Sequence, residues 1–314
     1  MDILVLLPFS DDERATIEAA APDGSRITYT TKADVTDEQV ARAEVIVGNL
    51  APARLAAAGH LRLLQLNSAG FDQYMAPGTL PAGAHLACAV GAYGQAVSEH
   101  LLTMILMLMK HLDAYRDDFC EHAWRDHGSV TTIAGARVLV LGAGDIGSHF
   151  AQLARALGAH VAGVRRHAGD IPDGFERMHT MDELPDLLPQ ADVIVSFLPS
   201  SPDTRGLVNA AFLARCKRGA YFANGGRGDL VVQSDLICAL EDGHIAGAAL
   251  DVTTPEPLPA DDPLWDAPNI FITPHVAGQF HLPVVLTNIA RITAENLRHL
   301  AAGEPLRNDV PLSR

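Results

Sequence analysis

Arg137-Val138-Leu139-Val140-Leu141 runs without a break into Gly142-Ala143-Gly144-Asp145-Ile146-Gly147, and a helix-forming stretch, Ser148–Leu157, follows. An apolar run of strand length that meets three glycines and then a helix reads as a strand turning sharply into a helix. The G-x-G-x-x-G spacing alone is weak, but at such a junction it is specific. Gly142 permits the tight turn, Gly144 lets a ligand approach the backbone, and Gly147 lets helix and strand come close. The exposed helix N–H groups and the helix dipole then attract an anion, here the pyrophosphate of a dinucleotide. Asp145 is expected to cap the helix and point outward.

The same rhythm extends on both sides. Apolar runs predict strands at Ile3–Leu7, Arg26–Thr30, Val45–Val47, Arg62–Leu66 and His85–Ala89, then at His160–Val164, Val193–Leu198, Ala220–Ala223, Gly247–Asp251 and Ile270–Thr273. Helical stretches fall between them, including Asp11–Ala20 with Ser10 as its N-cap. Strands alternating with helices imply parallel sheets covered by helices, the α/β class. At 314 residues the chain is too long for one ordinary core. The expectation is therefore two Rossmann-like, doubly wound parallel-sheet domains with a cleft between them. One long helix, Gln95–Phe119, is expected to cross between them or to sit in a subunit contact, its Leu101, Ile105, Leu108 and Leu112 at three- and four-residue spacing. Met104, Met107 and Met109 read as packing on that helix. A closing helix, Pro283–Ala302, is expected to return to the first domain.

Composition narrows the function. Apolar residues make up 48% and charged residues 19%, which is globular. A formal charge of −15 repels phosphate backbones, so no nucleic-acid partner is expected, and an anionic substrate needs a local cation. Cys88, Cys120, Cys216 and Cys238 form no C-x-x-C pair and read as reduced core thiols of a cytoplasmic protein, with no metal site. The first residues lack a signal-peptide pattern. The run Leu101–Met109 is about half of the roughly 20 residues a membrane span needs, so no membrane role is expected.

The strand after the glycine turn ends in Val164-Arg165-Arg166-His167. A site selective for NAD offers a carboxylate there, to hold the ribose diol. Arginines instead suit a 2′-phosphate, which a guanidinium binds with charge-assisted bonds. NADP(H) is therefore the expected cofactor, with NAD(H) as the second choice. Three further segments follow strand-like runs: Asn224-Gly225-Gly226-Arg227-Gly228, Asp251-Val252-Thr253-Thr254-Pro255-Glu256-Pro257-Leu258 and Pro274-His275-Val276-Ala277-Gly278. In an open α/β sheet such segments meet at the carboxyl edge, where ligands bind.

With these segments in place, the chain resembles the D-isomer-specific 2-hydroxyacid dehydrogenases. The shared motifs are the glycine turn, Leu198-Pro199 followed by Asp203-Thr204-Arg205-Gly206, the Asn224-x-x-Arg227-Gly228 segment, Pro255-Glu256-Pro257-Leu258 and Pro274-His275-x-x-Gly278. The resemblance implies a substrate domain of residues 1–98 plus 279–314, a dinucleotide domain of residues 99–278, and a homodimer through the cofactor domains. It implies Arg227, Glu256 and His275 as the catalytic group. Cofactor contacts would come from Gly142, Gly144, Asp145, Ile146, Gly147, Arg165, Arg166, Leu198, Pro199, Thr204, Asn224 and Asp251. Ser68, Ala69 and Gly70 would bind the carboxylate of a small 2-oxo or 2-hydroxy acid together with Arg227 and His275.

The chemistry asks independently for these residue types. A 2-oxo acid needs a cation for its carboxylate, and Arg227 offers a planar fork. Its carbonyl oxygen must gain a proton on reduction, and a histidine is the best-suited donor near neutrality. Glu256 would orient His275 and favour its imidazolium. Phe71 and Tyr74 either shape a substrate pocket or simply pack, and Tyr93 is read as narrowing the cleft mouth or touching substrate. His100 and His281 carry no assigned chemistry. Two other readings stay open: a non-catalytic, NAD(H)-sensing corepressor-like protein, and a formate or phosphite dehydrogenase of the same fold.

Overall fold

In chain order the strands and helices of the computed structural model, which describes residues 1–167 and 169–312, are β1 (Asp2–Val5), α1 (Asp11–Glu18), β2 (Arg26–Tyr29), α2 (Asp37–Arg42), β3 (Val45–Val47), α3 (Pro52–Leu55), β4 (Leu63–Gln65), β5 (His85–Ala87), α4 (Gly94–Met109) and α5 (Leu112–Glu121). They continue with β6 (Arg137–Leu141), α6 (Asp145–Ala156), β7 (His160–Arg165), β8 (Arg177–Thr180), α7 (Leu184–Leu187), β9 (Val193–Ser196), α8 (Ala210–Arg215), β10 (Ala220–Asn224), α9 (Gln233–Glu241), β11 (Ile245–Leu250), β12 (Ile270–Ile272) and α10 (Pro283–Ala302). They form two units, Met1–Tyr93 with Phe280–Arg314, and Gly94–Gln279.

The first unit holds a five-stranded sheet in the order β2-β1-β3-β4-β5, every pair parallel. Its core gathers Leu4, Val40, Ile46, Leu55, Leu64 and Leu86. Helix α1 starts where Ser10 and Glu13 form a reciprocal capping box. Helix α10 starts on Pro283 and stops at Gly303, whose φ of 70° favours glycine. It lies against α1, where Thr287 Oγ1 donates to Glu13 Oε1 at 3.0 Å.

The second unit carries a seven-stranded sheet, β12-β11-β10-β9-β6-β7-β8, again parallel throughout. Its order reverses about β6, with β7 and β8 to one side and β9 onward to the other. All four residues of β9 are buried, as a strand covered on both faces requires. Both units are thus parallel-sheet α/β domains, the expected class.

Three expectations are corrected. The single helix Gln95–Phe119 is two helices, broken at Lys110-His111, where His111 takes a left-handed φ of 54°. The returning strand of chain fixes that corner, with Lys110 Nζ donating to Thr131 O at 2.6 Å and His111 Nε2 meeting Ser129 O at 3.0 Å. Strand β8 was not anticipated, because it is a sheet edge of mixed polarity. Of the four free cysteines only Cys88 and Cys216 are buried, whereas Cys120 and Cys238 are exposed. Burial pushes the Cys216 thiol up to about 12, so it is inert as a nucleophile.

Candidate active site

The glycine turn sits between β6 and α6. Gly142 has a φ of +96°, and a Cβ there would come within 3.2 Å of the Phe197 backbone. At Gly147 a Cβ would lie 2.1 Å from Gly142 O, so helix and turn touch backbone to backbone. At Gly144 an added Cβ meets nothing within 4 Å. Gly144 is also the N-cap of α6, and no side chain caps the helix. Open space above uncapped N–H groups is the cradle a pyrophosphate needs, so these residues fit a dinucleotide. Asp145 does not cap the helix as expected; its Oδ1 lies 3.3 Å from His149 Nδ1, one turn along. Ile146 occupies the same first turn and is half-buried.

Arg165 closes β7, its Nη2 donating to Asp170 O at 2.6 Å while its buried Nε has no partner among the described residues. Arg166 follows it and is exposed. Beyond β9, Leu198 is buried and Pro199 is exposed. Thr204 is buried, and its hydroxyl donates to Pro199 O at 2.7 Å. The loop after β10 approaches this segment closely, since a Cβ at Gly226 would sit 2.4 Å from Leu198 O. Asn224 is fully buried and shapes that loop, accepting from Gly226 N at 3.1 Å and donating to Arg227 O at 2.9 Å. Arg227 lies half-buried at the loop's tip, with Nη1 donating to Gly226 O at 2.8 Å.

The loops after β11 and β12 are joined by two carboxylates. Asp251, 3% exposed, accepts from Thr273 Oγ1 at 2.6 Å, Val276 N at 3.0 Å and Ala277 N at 3.2 Å, and its backbone oxygen accepts from His275 N at 2.8 Å. This holds His275 at a φ of 52°, a conformation an L side chain adopts at a cost of roughly 1 kcal/mol or more. Glu256 is itself oriented, Oε1 accepting from Thr253 N at 3.1 Å, and its Oε2 lies 2.8 Å from His275 Nδ1. His275 Nε2, at the far side of the ring, makes no hydrogen bond among the described residues. Because β12, β11 and β10 are neighbours, His275, Glu256 and Arg227 all rise from one end of one sheet edge. Among the described residues no three His, Cys, Asp or Glu side chains are grouped to hold a metal ion.

In the first unit Ser68, Ala69 and Gly70 follow β4, all half-buried. Asn49 and Asn67 clasp each other through reciprocal backbone-to-amide bonds of 2.8 and 3.0 Å. Ser68 Oγ accepts from Asn49 Nδ2 at 2.9 Å and donates to Gly70 O at 2.5 Å. Tyr93 is buried and its hydroxyl donates to Asn67 O. Burial pushes that hydroxyl up to about 12, so it stays a donor. Its hydroxyl thus braces this loop. Tyr74 is buried with its hydroxyl on Leu50 O at 3.0 Å, and Phe71 lies on the same core, so both pack. Asn49 escaped notice in the sequence because a lone asparagine after a strand carries no local signal.

A dinucleotide cradle and a histidine–carboxylate pair on one parallel sheet define a nicotinamide-dependent oxidoreductase. Residues 102–277 match the NAD-binding domain of D-isomer specific 2-hydroxyacid dehydrogenases. A glyoxylate/hydroxypyruvate reductase A of Photorhabdus laumondii is 34% identical over 233 residues, 73% of this chain and 71% of that one. A D-isomer specific 2-hydroxyacid dehydrogenase family protein from Aeromonas salmonicida superposes with a TM-score of 0.86 at 32% identity, covering 99% of this chain and 98% of the other. An NADPH-dependent glyoxylate/hydroxypyruvate reductase from Sinorhizobium meliloti, solved with NADP and sulfate, gives a TM-score of 0.81 at 28% identity, with 98% of both chains covered. The chain belongs to the D-isomer specific 2-hydroxyacid dehydrogenase family, and it is an oxidoreductase acting on the CH–OH group of 2-hydroxy acids.

Proposed function

We propose that this enzyme reduces small 2-oxo acids of the glyoxylate and hydroxypyruvate type, with NADPH as its preferred reductant, and that Arg227, Glu256 and His275 carry the reaction. The observation that supports it most is the 2.8 Å pair of Glu256 and His275 Nδ1, which leaves Nε2 as the ring atom to face a substrate oxygen. The dinucleotide is held by Gly142, Gly144, Asp145, Ile146 and Gly147 in the unit Gly94–Gln279, lined by Leu198, Pro199, Thr204 and Asn224. Asp251 braces the nicotinamide end. When bound, the reduced nicotinamide supplies hydride to C2 of the substrate. Arg227 binds the carboxylate and polarises the carbonyl, and Ser68, Ala69 and Gly70 offer backbone N–H groups that suit a substrate carboxylate. His275 Nε2–H gives its proton to the oxygen on C2, and neutral His275 takes it back in the oxidative direction. Glu256 keeps the ring turned so that Nε2 is the donor.

Arg165 and Arg166 support the NADPH preference. A guanidinium bond to a phosphate contributes about 1.5–3 kcal/mol, less where water reaches it; Arg165 ends β7, the strand beside β6, and Arg166 follows it. The S. meliloti relative is NADPH-dependent and was solved with NADP. No helix among the described residues is long and apolar enough to cross a membrane, and a cytoplasmic location is part of the proposal. A homodimer through the cofactor domains completes the proposal.

The test is a steady-state panel of 2-oxo acids with both reductants. Glyoxylate or hydroxypyruvate should consume NADPH with a lower KM than NADH, and Arg165→Ala with Arg166→Ala should abolish that difference. Cofactor binding without turnover on the whole panel would point instead to an NAD(H) sensor. Turnover of formate or phosphite alone would overturn the substrate class.

A further inference from the structure

Outside the residues assigned above, one histidine is wired to the turn that carries His275. His100 lies on α4, and its Nε2 is 3.0 Å from Thr273 Oγ1. Thr273 Oγ1 also lies 2.6 Å from Asp251 Oδ1, a buried carboxylate that can only accept when ionised. The hydroxyl has one proton, and the shorter bond to Asp251 uses it. The contact with His100 must then be donated by the imidazole, which places a hydrogen on Nε2 in either charge state. Nε2 also stands 3.8 Å from Asp251 Oδ1. One helical turn further along, Met104 Sδ lies 3.8 Å from the same hydroxyl, so α4 presents two side chains to Thr273.

We propose that His100 is a positioning residue for the reaction, holding Thr273 and through it the Asp251 carboxylate in the orientation that fixes the His275 turn. The proposal rests on the reading of His275 as the proton donor. A hydroxyl that receives a bond from an imidazole donates more strongly itself, so the chain His100–Thr273–Asp251 tightens as a unit. Asp251 then bonds Val276 N and Ala277 N, and its backbone oxygen bonds His275 N. These bonds keep residue 275 in its left-handed conformation, from which Nδ1 meets Glu256. Leucine at position 100 would fill space on α4 yet leave Thr273 with no donor. Glutamine carries an amide N–H at the same remove from the backbone and would keep the bond.

The experiment compares His100→Leu, His100→Gln and Thr273→Val in the full-length enzyme, by steady-state kinetics and by hydrogen–deuterium exchange over residues 273–279. His100→Leu and Thr273→Val should each lower kcat about tenfold, the worth of one bond of this kind. Exchange at Val276 and Ala277 should quicken in both, and His100→Gln should restore kcat and slow exchange. Equal loss of kcat in the leucine and glutamine variants would reduce His100 to a space-filling role and overturn the proposal, as would full activity in either His100→Leu or Thr273→Val. Should His100→Leu fail to fold, Thr273→Val against His100→Gln still decides. A wild-type enzyme inert on the whole panel would sink the functional reading alone, because the exchange comparison needs no turnover.

Discussion

Glu256 meets the proposed proton donor through a single atom, and that makes its removal informative. Oε1 is held by Thr253 N, so Oε2 has little freedom except to face His275 Nδ1 at 2.8 Å. In Glu256→Gln the amide oxygen can still accept that bond, so the ring keeps its orientation but loses the facing charge. Charge-assisted bonds are roughly twice as strong as neutral ones. We expect kcat for reduction to fall about 10- to 100-fold with KM for the 2-oxo acid little changed, within the range a positioned general acid contributes. Stopped-flow turnover at saturating substrate checks this, and an unimpaired Glu256→Gln enzyme would remove Glu256 from the catalytic group. The residues themselves were legible: Pro-Glu-Pro-Leu and Pro-His-x-x-Gly mark Glu256 and His275 by local motif. His100 was not, since its partner Thr273 is 173 positions away and a histidine on an apolar helix looks like any other.

At the scale of elements, the glycine turn separates folding from binding. Gly147 and Gly144 stand three residues apart but face different neighbours. A methyl at position 147 would lie 2.1 Å from Gly142 O, which only a shift of the backbone relieves. Overpacking of this sort costs about 1–3 kcal/mol, so Gly147→Ala should melt several degrees lower as well as bind dinucleotide poorly. A methyl at 144 meets no protein atom within 4 Å, and the residue's φ of −87° suits alanine. Gly144→Ala should keep its Tm and lose dinucleotide affinity, because the methyl projects where the ligand approaches. Thermal melts with and without NADPH separate the two. This turn could be read from sequence because everything that builds it is local: a strand, three glycines, a helix. The break between α4 and α5 could not. Lys110-His111-Leu112 has neither glycine nor proline, and the corner is set by carbonyls of Ser129 and Thr131 that arrive from elsewhere in the chain. Strand β8 was equally opaque, since Arg177-Met178-His179-Thr180 has no apolar face for a sheet edge to demand.

Across the whole molecule, apolar exposure is unevenly spread. Val90, Leu112, Phe119, Trp124, Val130, Leu157, Ile171 and Trp265 are the large hydrophobic side chains exposed among the described residues, and four of these eight fall between positions 112 and 130. Trp124 is as open as an isolated residue, and Phe119 is 74% exposed. The same segment is nonetheless ordered from within: Asp118 is buried, bonded to Arg125 Nη1 and His127 Nε2 at 2.8 Å each, and the His127 bond, then that of Arg125, holds its carboxyl below the usual carboxylate range. Large apolar side chains left in water on an internally ordered segment are what an association site requires. In the dimer proposed above, a second copy would cover these side chains. Light scattering behind size exclusion should therefore give a mass twice that of one chain. Phe119→Asp with Trp124→Ser should shift it to a single chain, since a buried unpaired carboxylate at such a contact costs several kcal/mol, and dinucleotide binding at the glycine turn should survive. A wild-type protein that elutes as one chain at micromolar concentration, or a doubly substituted one that stays paired, would mean that these four side chains serve something other than self-association.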